Sequence, residues 1–91
     1  MNIPNPQLCY RMIREMAMLD HIVAHSMRVC HVALAISNRL RESGNPLNQE
    51  LIQAAALLHD ITKTRSFETG ENHAKTGREY LEERGFPEVA S

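Results

Sequence analysis

Apolar and polar residues alternate with a helical period along most of the chain. Leu8, Met12, Ile13, Met16 and Leu19 fall on one side of a helix expected from about Pro6 to Leu19. Asn5 can cap that helix, and Pro6 suits its first position, where no intrahelical N–H is needed. A second helix is expected from about His21 to Glu42, with Asp20 as cap and Gly44 closing it. Its apolar stripe is Ile22, Val29, Val32, Ile36 and Leu40, and His25 lies close to the centre of that stripe. The loop "SGNPLN" leads to Asn48, which can cap a third helix ending near Asp60. The stretch "ITKTRSFETGE" reads as an irregular loop, and a fourth helix runs from about Asn72 to Arg84, stopping at Gly85. No strand pattern, internal repeat or low-complexity tract interrupts this order. The spacing predicts an all-α fold, a helical bundle of four to five helices in a single domain over residues 1–91.

The third helix differs from its neighbours. In "LIQAAALLHD" only Gln53 breaks the apolar run, so hydrophobic groups surround the axis and the helix is expected at the centre of the bundle. Ala54, Ala55 and Ala56 permit close approach by other helices. The same helix would carry His59 and Asp60 into the interior.

Composition narrows the function. Ten Lys and Arg against eleven Asp and Glu give a net charge of -1, which offers no basic face for a nucleic-acid duplex. The start "MNIPNPQLCY" has neither a basic n-region nor a long apolar run, so no signal peptide or membrane anchor is expected there. Cys9 and Cys30 lie within helical patterns at no metal or redox spacing. They read as buried free thiols in a cytoplasmic protein.

The histidines carry the candidate chemistry. His25 on the apolar stripe is either a core histidine bonded to a backbone carbonyl or a metal ligand. His31 falls on the opposite side and is expected in solvent, whereas His21, one turn before His25, suits a helix-start or supporting role. Asp60 bears on the choice for His25. A carboxylate at a helix C-terminus meets the negative end of the macrodipole, and burying it unpaired is costly, so a positive group belongs beside it. Lys63 is one candidate and a divalent cation another; the cation would also engage the two imidazoles. Two His and one Asp form an N2O set suited to Mn, Fe, Co, Ni or Zn. His73 shares a face with Gly77 and Tyr80 and is either a solvated first-turn residue, a ligand to a second metal or a donor to phosphate.

Taken together, "HSMRV" (25–29), "AALLHDITK" (55–63) and "HAKTG" (73–77) resemble the HD superfamily of metal-dependent phosphohydrolases, over residues 21 to about 90. The resemblance implies an all-α fold and a divalent metal, Mg included, held by His25, His59 and Asp60. Arg28 matches an arginine usual in that helix, with a structural or phosphate-binding role. Lys63 matches a lysine that touches phosphate, and His73 matches an extra histidine of two-metal members. Thr62 departs from the commoner glycine, which argues against the cyclic-dinucleotide phosphodiesterase branch. The family closes its site with a further Asp on a later helix. Here "FPEVAS" resembles the start of that helix, with Pro87 at its first position, yet no Asp follows Asp60. The chain is therefore expected to be a fragment or a shortened member with three of four ligands.

The function expected is hydrolysis of a phosphate ester of a nucleotide or other small metabolite. No Ser-His or Cys-His arrangement suggests a covalent nucleophile. The alternative is a non-catalytic module of the same fold that binds a ligand or partner. Two-fold homodimerisation is also expected, burying whatever apolar face the third helix leaves in water.

Overall fold

The computed structural model describes residues 1–90. It contains six helices and, among the described residues, no strand: α1 (Pro6–Glu15), α2 (Asp20–Glu42), α3 (Gln49–Leu58), α4 (Lys63–Thr69), α5 (His73–Glu83) and α6 (Pro87–Ala90). Three asparagines start helices by side-chain capping. Asn5 Oδ1 accepts from Leu8 N at 2.8 Å, Asn48 Oδ1 from Leu51 N at 3.1 Å, and Asn72 Oδ1 from Ala74 N and Lys75 N at 3.1 and 3.2 Å. Each satisfies backbone donors that a first turn leaves orphaned.

The apolar α3 is central, as its pattern requires. Ala54, Ala56, Leu57 and Leu58 are buried, and α1, α2 and α6 all pack on it. Its longest seam is with α2, on which Ile22, Ser26, Cys30 and Ser37 are buried and Cys30 Sγ lies 3.9 Å from the Gln53 carbonyl. Small residues on both sides let the two backbones approach. Val89 and Phe86, at the α5–α6 corner, complete the core with Met12, Ile13, Met18 and Leu81.

Several boundaries and faces differ from expectation. The first helix stops at Glu15 rather than Leu19, because Ala17 takes a left-handed φ of 48° and the chain turns Met18 into the core. Asp20 is the first residue of α2 rather than its cap; Leu19 caps it through backbone alone, and the carboxylate of Asp20 instead faces the positive end of the helix dipole. The third helix ends at Leu58, and His59 to Thr62 form a turn. The stretch read as an irregular loop holds α4, which buries no residue fully and so leaves no hydrophobic period to read. Gly77 is buried beside Thr62, but a Cβ there would lie 3.5 Å from Thr62 Oγ1, an ordinary contact, so close packing does not demand glycine.

The stripe assigned to α2 also divides. Ile22 is buried and Val29 half-buried, but Val32, Ile36 and Leu40 are 52%, 56% and 37% exposed. The helix is rotated so that its small residues, rather than its branched ones, meet α3. The apolar face left in water is therefore on α2, not on the third helix. With His25, Arg28 and Ala33, the residues Val29, Val32 and Ile36 line a shallow cavity of about 370 Å³ on that side.

Candidate metal centre

The turn after α3 is fixed from both ends. Leu58, Ile61 and Thr62 are fully buried, while Ile61 N donates to Leu58 O at 3.1 Å and Lys63 N to Asp60 O at 3.0 Å. Between these anchors the side chain of Asp60 is only 11% exposed. The carboxylate is thus placed by packing, with little freedom to reorient.

Three imidazoles surround it. His59 Nε2 is 3.1 Å from Asp60 Oδ2, His25 Nε2 is 3.9 Å from the same oxygen, and His73 Nε2 is 3.9 Å from Oδ1. The rings of His25 and His59 are 5.6 Å apart between centroids. One ligating atom from each of His25, His59 and Asp60 lies within 4.8 Å of the others. The histidine rings are substantially exposed, with His25 at 55%. His25 is therefore not a core histidine, and the cluster lies on the floor and rim of an open cleft rather than in the bundle interior. The reason is the rotation of α2, which moves His25 from the packed face to its edge.

The donor set fits a cation. His59 Nδ1 is 2.7 Å from the carbonyl of Ala56, a partner that only an N–H can satisfy. With Nδ1 turned to that carbonyl, Nε2 is the ring nitrogen presented to the carboxylate, 3.1 Å from Asp60 Oδ2. A cation between those two atoms would be bound by both. Lys63 does not supply it by pairing: among the described residues only the three histidines come within ion-pair distance of Asp60. An imidazole ligand whose other nitrogen donates to a carbonyl is the arrangement that orients metal-binding histidines. The cluster of His25, His59 and Asp60 can therefore hold a divalent ion.

His73 is brought near by residues that the sequence did not single out. Thr62 Oγ1 donates to the carbonyl of His73 at 2.9 Å and accepts from Thr76 Oγ1 at 3.0 Å, tying the turn to the first turn of α5. Arg65 grips Glu71 with two hydrogen bonds of 2.8 and 2.9 Å, and Thr69 Oγ1 donates to the same carboxylate at 2.7 Å. This clamp closes the loop that leads into His73. The Arg65 guanidinium, with help from the Thr76 and Thr69 hydroxyls, pulls the Glu71 carboxyl down from 4.5 to about 2.

Lys63 lines one cleft with the cluster, together with His21, Ile22, His25, Asp60 and Phe67. Arg28 is exposed on the other flank of His25 and faces the apolar cavity instead. Glu79, Glu82 and Glu83 are exposed, and Glu71 is committed to Arg65, so among the described residues no second carboxylate reaches the cluster. Phe67 could have been found by noting that it stands four residues after Lys63, had the intervening helix been legible.

Two predictions follow from these supports. Thr62→Val keeps the shape of the buried side chain but removes the bond to the His73 carbonyl and the one accepted from the Thr76 hydroxyl, which keeps the Asn72 carbonyl as a partner. Denaturant unfolding should show a loss of about 1 kcal/mol, and an unchanged midpoint would refute the latch. Because the carboxyl of Glu71 is lowered on folding, its contribution is present above about pH 4.5 and lost as pH falls through about 2. Wild type should therefore melt above Glu71→Gln at neutral pH, with the gap closing across that acid window. A gap independent of pH would show that the clamp is not ionic.

Comparison with known proteins gives a family and two relatives. The HD domain family model matches residues 22–91. An uncharacterized protein of Methanocaldococcus jannaschii is 32% identical over 69 residues, covering 76% of this chain and 40% of that protein. A tRNA (cytidine(56)-2'-O)-methyltransferase of Thermoplasma volcanium is 31% identical over 84 residues, covering 92% of this chain and 23% of the enzyme. The chain thus spans less than half the length of either relative. No solved structure matches at a significant level. With the His-Asp pair, the upstream histidine and a family match over most of its length, this chain belongs to the HD domain family.

Proposed function

We propose that the chain forms the metal-binding part of a phosphohydrolase acting on a phosphate ester of a nucleotide or other small metabolite. The observation that carries this reading is the convergence of His25, His59 and Asp60, with His59 Nε2 facing Asp60 Oδ2 at 3.1 Å. Mn, Fe, Co, Ni and Zn suit two imidazoles and a carboxylate, and Mg suits the oxygen side of the site. A divalent ion there supplies Lewis-acid activation of water and of the phosphoryl group. Asp60, immobilised by packing, holds the negative charge that fixes the ion's place. Lys63 in the same cleft offers its ammonium to phosphate oxygens, and the exposed Arg28 can meet phosphate only from the far flank of His25. His73, nearest the other carboxylate oxygen, is placed to ligate a second ion or to donate to phosphate. In the reaction, water oxygen bonds to phosphorus, the ester P–O bond breaks, and the alcohol leaves with a proton.

A second reading, a non-catalytic ligand-binding module, is favoured by the lack of a further carboxylate at the cluster among the described residues. Both readings require metal binding; they differ in turnover. Elemental analysis after dialysis against Mn or Ni should find about one ion per chain. His59→Ala with Asp60→Ala should abolish that uptake, and unchanged uptake would remove the site from consideration. Metal-dependent release of phosphate from a panel of phosphomonoesters supports the hydrolase; binding without release supports the module.

Self-association belongs to the same proposal. The exposed Val32, Ile36 and Leu40 form an apolar strip continuous with His25, of the kind that association usually buries. Two copies pairing through α2 about a two-fold axis would cover it and adjoin the two metal sites. Light scattering should give a dimer that Ile36→Lys converts to monomer, and a wild-type monomer at high concentration would defeat the claim. The free, buried thiols of Cys9 and Cys30 fit a reducing, cytoplasmic setting. No helix among the described residues is long and apolar enough to cross a membrane.

A further inference from the structure

The three ligands of the metal centre are held by different means. His59 and Asp60 lie in a turn pinned by the buried Leu58, Ile61 and Thr62. His25 stands on α2 six residues after Leu19, about 9 Å along the helix axis. Its position therefore depends on where α2 starts. That start is weakly built from its own residues. Ala17 holds a left-handed φ of 48°, unfavourable for a residue with a Cβ, and Leu19 caps α2 without a side-chain hydrogen bond. Ile22, at the third helical position, has no polar group to take up the Leu19 N–H as a Glu or Gln would.

Thr64 takes that N–H instead. Leu19 N donates to Thr64 Oγ1 at 3.0 Å, across 45 residues of sequence. Beside it in the chain, Lys63 N donates to Asp60 O at 3.0 Å. The start of α2 is thus joined to the backbone of Asp60 through two hydrogen bonds and the Lys63–Thr64 link. Packing does little at this junction, because α4 buries no residue. Thr64 also stands between two open cavities. One of about 290 Å³ is lined by Thr64 with Glu15, Met16 and Ala17 of the α1–α2 elbow, and the other is the cleft of about 360 Å³ that Lys63 shares with His21 and His25. Here a hydrogen bond sets the register that apolar contact sets elsewhere in the bundle.

We infer that Thr64 is a positioning residue of the metal centre, its hydroxyl holding the first turns of α2 so that His25 meets the ion bound by His59 and Asp60. The inference rests on the metal-binding reading above and goes beyond it by adding a residue that lies outside the ligand cluster. Removing the hydroxyl leaves the His59–Asp60 turn in place and releases only the helix that carries His25.

The test follows the histidine rings by long-range proton–nitrogen NMR as Zn is added to the wild-type chain and to two variants. In the wild type, the ring nitrogens of His25 and His59 should both shift. Thr64→Val keeps the shape of the side chain without the acceptor. At saturating Zn its His59 should shift as in the wild type while its His25 shift is largely lost, and half-saturation should need about tenfold more Zn. Thr64→Ser, which restores the hydroxyl, should return both. If Thr64→Val lowers the melting temperature yet both rings reach their wild-type positions at saturation, the role of Thr64 is structural only and the inference is overturned. A wild-type His59 that shifts without His25 would overturn it as well. No shift of either ring in the wild type would overturn the metal-binding reading and the inference with it.

Discussion

The rest of the site depends on one buried carboxylate held at the wrong end of a helix. Asp60 follows α3 closely enough to meet the negative end of its dipole, and the packing of Leu58, Ile61 and Thr62 keeps its side chain from escaping into water. A surface aspartate in that position would swing out and be solvated. Here the surrounding residues leave it facing three imidazoles, one of them held by Ala56 through Nδ1 with Nε2 towards the carboxylate. The core thus keeps a carboxylate where a cation would be favourable. An ion bound there would couple to folding stability through the same few residues.

This coupling explains how the supporting residues are distributed. The α2–α3 seam is lined with serine, cysteine and alanine, so the backbone carrying His25 comes close to the turn carrying His59 and Asp60. The branched residues of α2 are consequently displaced to the outer face, where Val32 and Ile36 are more than half exposed. Bringing the ligands together therefore leaves an apolar strip uncovered, in a chain that spans only part of the length of its relatives. On the other side, the Arg65–Glu71 clamp and the Thr62 hydroxyl set His73 through the α4–α5 loop. Neither support touches the carboxylate of Asp60. They act by fixing backbone.

Much of this was legible in the sequence, and what was not has physical causes. The Asn5 and Asn48 caps and the central α3 follow from local rules that the fold obeys, and the grouping of His25 with His59 and Asp60 was expected from their donor chemistry and from the family resemblance. The face of α2 was misread because apolar periodicity ranks residues by hydrophobicity, while the real seam was chosen by size. Ser26 and Ser37 are polar by composition and buried by geometry. The helix α4 was invisible because it is short and amphipathic only with respect to a cleft. The early end of α1 rests on a left-handed alanine, a conformation that no residue type announces.

The contrast between floor and rim bears on how such a site operates. Asp60 and Thr62 are immobilised, whereas His25, His59 and His73 present partly exposed rings. A ligand set of this kind defines where the charge resides but leaves access to it open. Solvent reaches the cluster from the cleft without displacing a protein side chain, so the packing around Asp60 fixes the place of a cation without closing it off. Along the same cleft Lys63 presents charge, and Phe67 and His21 present rings. The α2–α3 seam and the turn after it hold the His25, His59 and Asp60 geometry, whereas α4 builds the opposite wall, which buries none of its own residues and, Thr64 apart, can vary without disturbing that geometry.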